Sequence, residues 1–144
     1  WNSRMAGFDA VWLNLVLEYL PQRLESRKKA TAWWREQLRS INACFVDPPE
    51  GCEENGYLVA TLVDPAKRPA VQSVLKDHGI GFGTVYPSSM SLQPGAEGWL
   101  RAAVGGEKAD YLGKAILNPP IYAYITDAEL DEAFAAWKKA LASV

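Results

Sequence analysis

The chain has 144 residues, of which 49% are hydrophobic and 22% charged, and its net charge is −2. This is the composition of one globular domain that can bury its own core, and the small net charge without a Lys/Arg block excludes general electrostatic binding to nucleic acid or anionic lipid. No apolar run approaches the roughly 18 residues of a membrane span, so we expect neither nucleic acid nor a membrane among the partners.

The first third of the chain is predicted to be helical. Apolar residues at helical spacing run from Phe8 to Tyr19 and predict a long N-terminal helix. Pro21 follows, and because proline lacks the backbone N–H that a helix interior needs, we expect the helix to end or kink there. A second, charged helix is expected to start at Pro21 and to end before the DPPEG segment at residues 47–51.

The middle of the chain predicts a strand, a helix and a strand. The turn signal Asn55-Gly56 precedes YLVATLV, which predicts a strand over residues 57–63. Asp64 is placed to cap the helix AKRPAVQSVLKDH, and Gly79 is the residue type that commonly follows a helix end. The segment GFGTVYP predicts a second strand over residues 81–87.

The last third is predicted to hold two clear helices. A loop, SSMSLQPGAEG, leads to a short helix in GWLRAAVGG and a better one in EKADYLGKAIL. NPPIYAYI should be extended or irregular, because a residue before proline avoids helical angles. Thr126 and Glu129 have capping-box spacing, and they open a final helix with Leu130, Phe134 and Trp137 on one face.

These elements predict a single α+β domain over residues 1–144, with a small, mainly antiparallel sheet packed against helices. Six tryptophans are many for a domain of this size. Two interpretations stay open: a tryptophan-rich core, or tryptophans that face another domain or subunit.

The two cysteines, Cys44 and Cys52, are predicted to be free thiols rather than a disulfide. The sequence has no pattern of a secretory signal peptide, so we expect a cytoplasmic protein. Two cysteines and one distant histidine do not supply four ligands at metal-site spacing.

The residues show no self-contained active site. GIGFG at residues 79–83 follows a predicted helix and precedes a strand, which is the reverse of a phosphate-binding glycine loop. His78 is expected to complement the dipole at a helix end rather than to act as a base. Lys28 and Lys29 lie in a charged SRKKA stretch, where a lysine is solvated and not activated for Schiff-base chemistry.

Three stretches in the right order resemble a known family. WNSRMAGFDAVWLNLVLEYLPQRLESRKKATAWWREQL, then YLVATLVDPAKRPAVQSVLKDHGIGFGTVYP, then AILNPPIYAYITDAELDEAFAAWKKAL follow the pattern of the small domain in DegT/DnrJ/EryC1/StrS proteins. These are sugar aminotransferases of fold type I that use pyridoxal phosphate (PLP). The resemblance spans nearly the whole chain.

The resemblance implies that residues 1–144 form the C-terminal small domain of a PLP-dependent aminotransferase. The parent enzyme would move an amino group from glutamate or glutamine to a keto-sugar nucleotide or similar ketone. The large domain, with the Schiff-base lysine, would lie outside this sequence, so no PLP is expected on this chain alone and the isolated chain is not expected to be catalytic. The implied partners are that large domain and a second subunit of a homodimer.

The resemblance also implies three site residues. Asn2 would bind the cofactor phosphate across the dimer interface, Arg4 would lie near the substrate or cofactor, and Tyr86 would approach the nucleotide-sugar site. The chain departs from the family pattern beside Tyr86, since Val85 and the stretch from Ser89 to Ser91 stand where many members have histidine.

Two other hypotheses remain open from the sequence. The lost histidines and the many tryptophans are compatible with a non-catalytic, stand-alone module that keeps the small-domain fold and binds a protein partner. An unrelated α+β ligand-binding domain could also carry the same patterns.

Overall fold

The structure is a computed structural model that describes residues 4–86, 88–102 and 104–143. It has the predicted α+β fold, with helices packed on a small antiparallel sheet. Its elements in chain order are α1 (Gly7–Ser40), β1 (Thr61–Leu62), α2 (Arg68–Asp77), α3 (Glu107–Ala115), β2 (Ile116–Leu117) and α4 (Asp127–Ala142), with 3₁₀ turns at Met90–Leu92 and Pro94–Ala96. Within the described residues, no helix is both long enough and apolar enough to pass through a bilayer.

Helix α1 is one continuous helix of 34 residues with Pro21 inside it. The helix does not end at Pro21, so the predicted second helix is the continuation of the first. Proline deprives the Leu17 carbonyl of its intrahelical donor. Leu17 and Pro21 both lie in an exposed part of α1, where water can replace that hydrogen bond.

The sheet is shorter than predicted. Strand β1 pairs antiparallel with β2, with Thr61 opposite Leu117. Single bridges add Phe45 beside Thr61 and Gly83 beside Asn118, so four short segments lie side by side. The predicted strand at 57–63 is therefore reduced to Thr61–Leu62, and the one at 81–87 to the bridge at Gly83. The short helix expected in GWLRAAVGG is absent from the described part of that segment.

The core joins the two ends of the chain. Trp34 of α1 and Trp137 of α4 are both fully buried, and their rings meet edge to face with centroids 6.0 Å apart. The Trp34 indole donates a hydrogen bond to the Pro120 carbonyl at 3.1 Å, whereas the Trp137 indole N–H has no partner among the described residues. Two of the tryptophans thus lie in the core, while Trp12 and Trp99 are exposed.

Two of the predicted helix-end signals are confirmed, and the one at Asp64 is not. The Thr126 hydroxyl accepts from the backbone N–H of Glu129, and the Glu129 carboxylate accepts from the backbone N–H of Thr126 at 2.8 Å. Gly79 follows α2 with φ of +69°, and the Ile80 N–H closes that end on the Leu75 carbonyl at 2.9 Å. Asp64 does not cap α2, which starts at Arg68 after Lys67. It caps the preceding turn instead, by accepting from the N–H of Ala66 at 2.8 Å.

Ion pairs fasten residues 44–56 to the packed half of α1. The Arg35 guanidinium, largely buried, donates to both carboxylate oxygens of Glu54 and lies 3.4 Å from Asp47. The hydrogen bond from Arg35 holds the pKa of Glu54 below its usual value. Arg39 pairs with Asp47 at 2.9 Å. Cys44 and Cys52 in this region are free, exposed thiols, as predicted.

At Gly56 the backbone of this region lies against the backbone of α1. Its φ is +67°, and a Cβ added there would lie 2.6 Å from the backbone of Arg27 and Lys28. The Gly56 carbonyl accepts from Arg27 Nε at 3.0 Å, and the Arg27 guanidinium lies over the ring of Tyr57. Only glycine permits both this angle and this approach.

Candidate functional site

A cavity of about 560 Å³ lies beside the sheet, and it is the principal candidate site among the described residues. Residues beside and within the sheet form one wall, α3 forms another, and residues 84–86, 88–90 and 93 complete the lining. Its lining residues are Leu58, Ala60, Thr84, Val85, Tyr86, Ser88, Ser89, Met90, Gln93, Ala109, Leu112, Gly113, Ile116 and Asn118.

The loop at residues 88–93 is held on α3 at Gly113. A Cβ on Gly113 would lie 3.1 Å from the Cα of Ser88, so the missing side chain lets the loop backbone rest on the helix. One residue further along the loop, the Ser89 hydroxyl donates to the Asp110 carboxylate. Gln93 Nε2 donates to the Ser88 hydroxyl at 2.9 Å, and these contacts fix the shape of this loop.

Asn118 lies in the sheet wall of the cavity. Its backbone exchanges two hydrogen bonds with Gly83, at 2.7 and 2.9 Å. Its side chain is buried, with 4% of the residue exposed, and neither Oδ1 nor Nδ2 finds a hydrogen-bond partner in the described structure. An unpaired buried amide is costly, which marks Asn118 as a residue able to bind a polar group.

The structure describes two of the three site residues implied by the resemblance, and these two do not lie together at the cavity. Asn2 lies outside the described residues. Arg4 is exposed and precedes α1, and it does not line the cavity. Tyr86 is 74% exposed and lies at the cavity rim, next to Val85. The structure therefore brings Tyr86, but not Arg4, to the candidate site.

The structure gives no catalytic environment to Lys28, Lys29 or His78, for which the sequence predicts no catalytic role. The Lys28 ammonium pairs with Glu53, and this hydrogen bond raises the pKa of Lys28, which is the reverse of an activated amine. Lys29 is exposed at the surface. His78 contacts the Val74 carbonyl through Nδ1 at 2.8 Å, at the end of α2 as predicted. Within the described ranges, no three His, Cys, Asp or Glu side chains cluster to hold a metal.

The first part of α1, residues 7–20, is a second notable surface, which we call the apolar arm. Phe8 is 81% exposed and Trp12 58% exposed. At about 3.6 residues per turn, Phe8, Trp12 and Tyr19 share one side of α1, and Leu13 and Leu17 share another. The exposed large apolar residues of the arm are Phe8, Val11, Trp12, Leu13, Leu15, Leu17, Tyr19 and Leu20.

The helical spacing of the arm was predictable, but its exposure was not. Periodicity identifies an apolar face without saying what covers it. Asn118, Gly113 and the cavity had no distinctive sequence signal either, because they depend on contacts between segments that are distant in the sequence.

The family is decided by comparison with known sequences. The sequence profile described as the DegT/DnrJ/EryC1/StrS aminotransferase family matches residues 1–138. The chain belongs to the DegT/DnrJ/EryC1/StrS aminotransferase family. The family expectation from the three ordered stretches is thus confirmed. A comparison with curated protein sequences finds no match.

Solved structures share the fold of this family member. DesV of S. venezuelae, solved in complex with a ketimine intermediate, superposes with a TM-score of 0.86 at 19% identity, over 96% of this chain and 37% of its own. A DegT DnrJ EryC1 StrS aminotransferase from Brucella abortus gives 0.84 at 21% identity, over 97% and 37%. The aminotransferase TlmJ from Streptoalloteichus hindustanus gives 0.78 at 18% identity, over 90% and 35%. The chain therefore spans little more than a third of these relatives.

Proposed function

We propose that residues 1–144 are the C-terminal small domain of a PLP-dependent aminotransferase, which transfers an amino group from glutamate or glutamine to a keto-sugar nucleotide or similar ketone. The observation that carries the proposal is the family match over residues 1–138, combined with coverage of only 37% of DesV. The remaining two-thirds of such an enzyme would hold the cofactor, and the assembly would be a cytoplasmic homodimer.

The exposed apolar arm supports the proposal that a large protein surface packs against this domain. Burying one Leu or Phe side chain stabilises by about 1.5–3 kcal/mol, so covering the arm would contribute strongly to an interface. Its apolar residues occupy two sides of α1, as expected if the large domain covers one side and a second subunit approaches the other. Exposed patches of this kind mark interaction surfaces.

The described residues do not by themselves fit PLP. The cofactor needs a lysine freed from solvent and from carboxylates. Lys28 is paired with Glu53, and the other lysines of the described residues are all exposed. Asn2, the implied phosphate ligand, lies outside the described residues. We therefore propose that the Schiff-base lysine belongs to the large domain. The small domain, residues 1–144, would contribute Asn2, Arg4 and the surface around Tyr86 that closes the site.

The test uses the complete product of the natural gene. We expect a chain longer than 144 residues by intact mass, with the visible absorption of bound PLP and a spectral change on adding glutamate. Asn2→Ala should weaken PLP about tenfold or more, the loss expected for one hydrogen bond to a charged group, and Ser3→Ala is the matched control. A complete gene product that binds no PLP, or equal effects of the two variants, would overturn the proposal.

The same protein separates the enzyme from a stand-alone binding module. In the enzyme, Trp12 should be shielded by the large domain. Its fluorescence, measured as the difference between the wild type and Trp12→Phe, should therefore resist quenching by acrylamide. A module that binds another protein would instead keep Trp12 open until its partner is added. Trp12 that is readily quenched in the complete gene product would favour the module.

A further inference from the structure

None of the described residues that line the cavity has a charged side chain. Two charged groups that contact lining residues are already engaged with the protein. The Asp110 carboxylate accepts from Ser89, and Arg68 donates to the backbone carbonyls of Gly113 and Lys114 at 2.9 and 2.5 Å. The described lining therefore offers no cation to a phosphate and no anion to an amine.

The polar side chains of the cavity differ in burial and bonding, and Thr84 and Tyr86 are not fully buried. Ser88 and Gln93 bond to each other, and Ser89 is bonded to Asp110. Asn118 is the buried lining side chain whose amide lacks a partner in the described structure. An amide presents a donor and an acceptor side by side, which suits an uncharged group with the complementary pair.

The volume matches a small molecule. Ligand pockets measure roughly 300–1,000 Å³ and combine an apolar lining with a few polar groups that set orientation. At about 560 Å³, this cavity has both properties. We propose that it binds an uncharged, largely apolar small molecule or substrate moiety, with Asn118 as its polar anchor.

Binding at this site needs neither PLP nor a reaction, so it can be tested separately from the proposed amino transfer. A free compound and an apolar part of a larger substrate would present the same chemistry to it. Adding a saturating keto-sugar nucleotide to the occupied protein distinguishes these sources, since only a substrate moiety would be displaced by the substrate.

The experiment titrates the complete gene product with the uncharged fluorophore N-phenyl-1-naphthylamine. Ala109→Trp places an indole at the cavity from an exposed position of α3, and it should weaken binding about tenfold or more. Ala142→Trp, also exposed and helical but remote from the cavity, should leave binding unchanged. If the two variants bind the fluorophore equally, it is bound elsewhere, for example on the apolar arm, and the proposal fails.

Two competitors of the same shape test the ligand class and Asn118. Uncharged 1-naphthamide should displace the fluorophore at least about tenfold better than anionic 1-naphthoate, because none of the described lining side chains carries a charge to compensate a carboxylate. Asn118→Leu should weaken 1-naphthamide while leaving the fluorophore bound, and retained fluorophore shows that the variant is folded. Preferential binding of 1-naphthoate would overturn the ligand class, and an unchanged 1-naphthamide affinity in Asn118→Leu would overturn the role of Asn118.

Discussion

Replacement of Gly56 by alanine should destabilise the fold more than replacement of any open glycine. The new Cβ would lie 2.6 Å from the backbone of Arg27 and Lys28, closer than carbon atoms approach, so α1 or the 44–56 region must shift. Overpacking of this kind costs about 1–3 kcal/mol. The positive φ adds about 1 kcal/mol, after allowance for the reduced freedom of the unfolded chain. We expect a total loss of about 2–4 kcal/mol from these two terms.

Gly51→Ala is the matched control. Its φ of +78° imposes the same backbone strain, but nothing lies within 4 Å of its added Cβ. We expect a loss of about 1 kcal/mol there. Urea unfolding followed by circular dichroism measures both, with equal slopes indicating that the comparison is of stability. If Gly56→Ala lost no more than Gly51→Ala, the close contact between Gly56 and α1 would be refuted.

Three further changes probe the cap, the ion pair and the core. Thr126→Ala should cost about 0.5–2 kcal/mol by thermal unfolding, since it removes the cap of α4, and an unchanged melting temperature would contradict this. Glu54→Gln should cost about 1.5–3 kcal/mol at neutral pH; because Arg35 lowers the pKa of Glu54 in the folded state, this difference from the wild type should shrink as pH falls through that lowered pKa, and a pH-independent difference would exclude the pair as its source. Trp34→Phe should cost about 1–3 kcal/mol more than Trp137→Phe, because it leaves the Pro120 carbonyl without its donor, whereas Trp137→Phe removes an N–H that has no partner among the described residues. A larger loss of stability in Trp137→Phe, measured by urea unfolding, would refute this.

Local signals predicted the parts of the fold that local chemistry controls. The capping box at Thr126, the glycine after α2 and the apolar face of α4 all involve residues within a turn or two of each other. The continuity of α1 was missed because the rule for Pro21 assumes a buried helix interior, whereas this part of α1 is exposed. The strands were overextended because β propensity predicts an extended segment, not how many of its residues find a neighbour.

The candidate site was only partly predictable for the same reason. Tyr86 was named through the family resemblance and lies at the cavity rim. Gly113 acquires its role because Ser88 lies against it, and Asn118 acquires its role by pairing with Gly83, and no sequence spacing encodes either approach. Exposure of the apolar arm likewise could not be predicted, because helical periodicity identifies an apolar face without showing what covers it.

The pairing of Trp34 with the far end of the chain has a consequence for biosynthesis. The indole of Trp34 bonds to Pro120, 86 positions later, and its ring packs on α4, which is synthesised about a hundred residues after it. At roughly 5–20 residues per second, the core face of α1 would wait on the order of ten seconds for its counterpart. During that interval a nascent chain would display both its core aromatics and its apolar arm, which makes it a natural client for co-translational chaperones. A frameshift within α4 should therefore yield aggregation rather than a shortened folded protein.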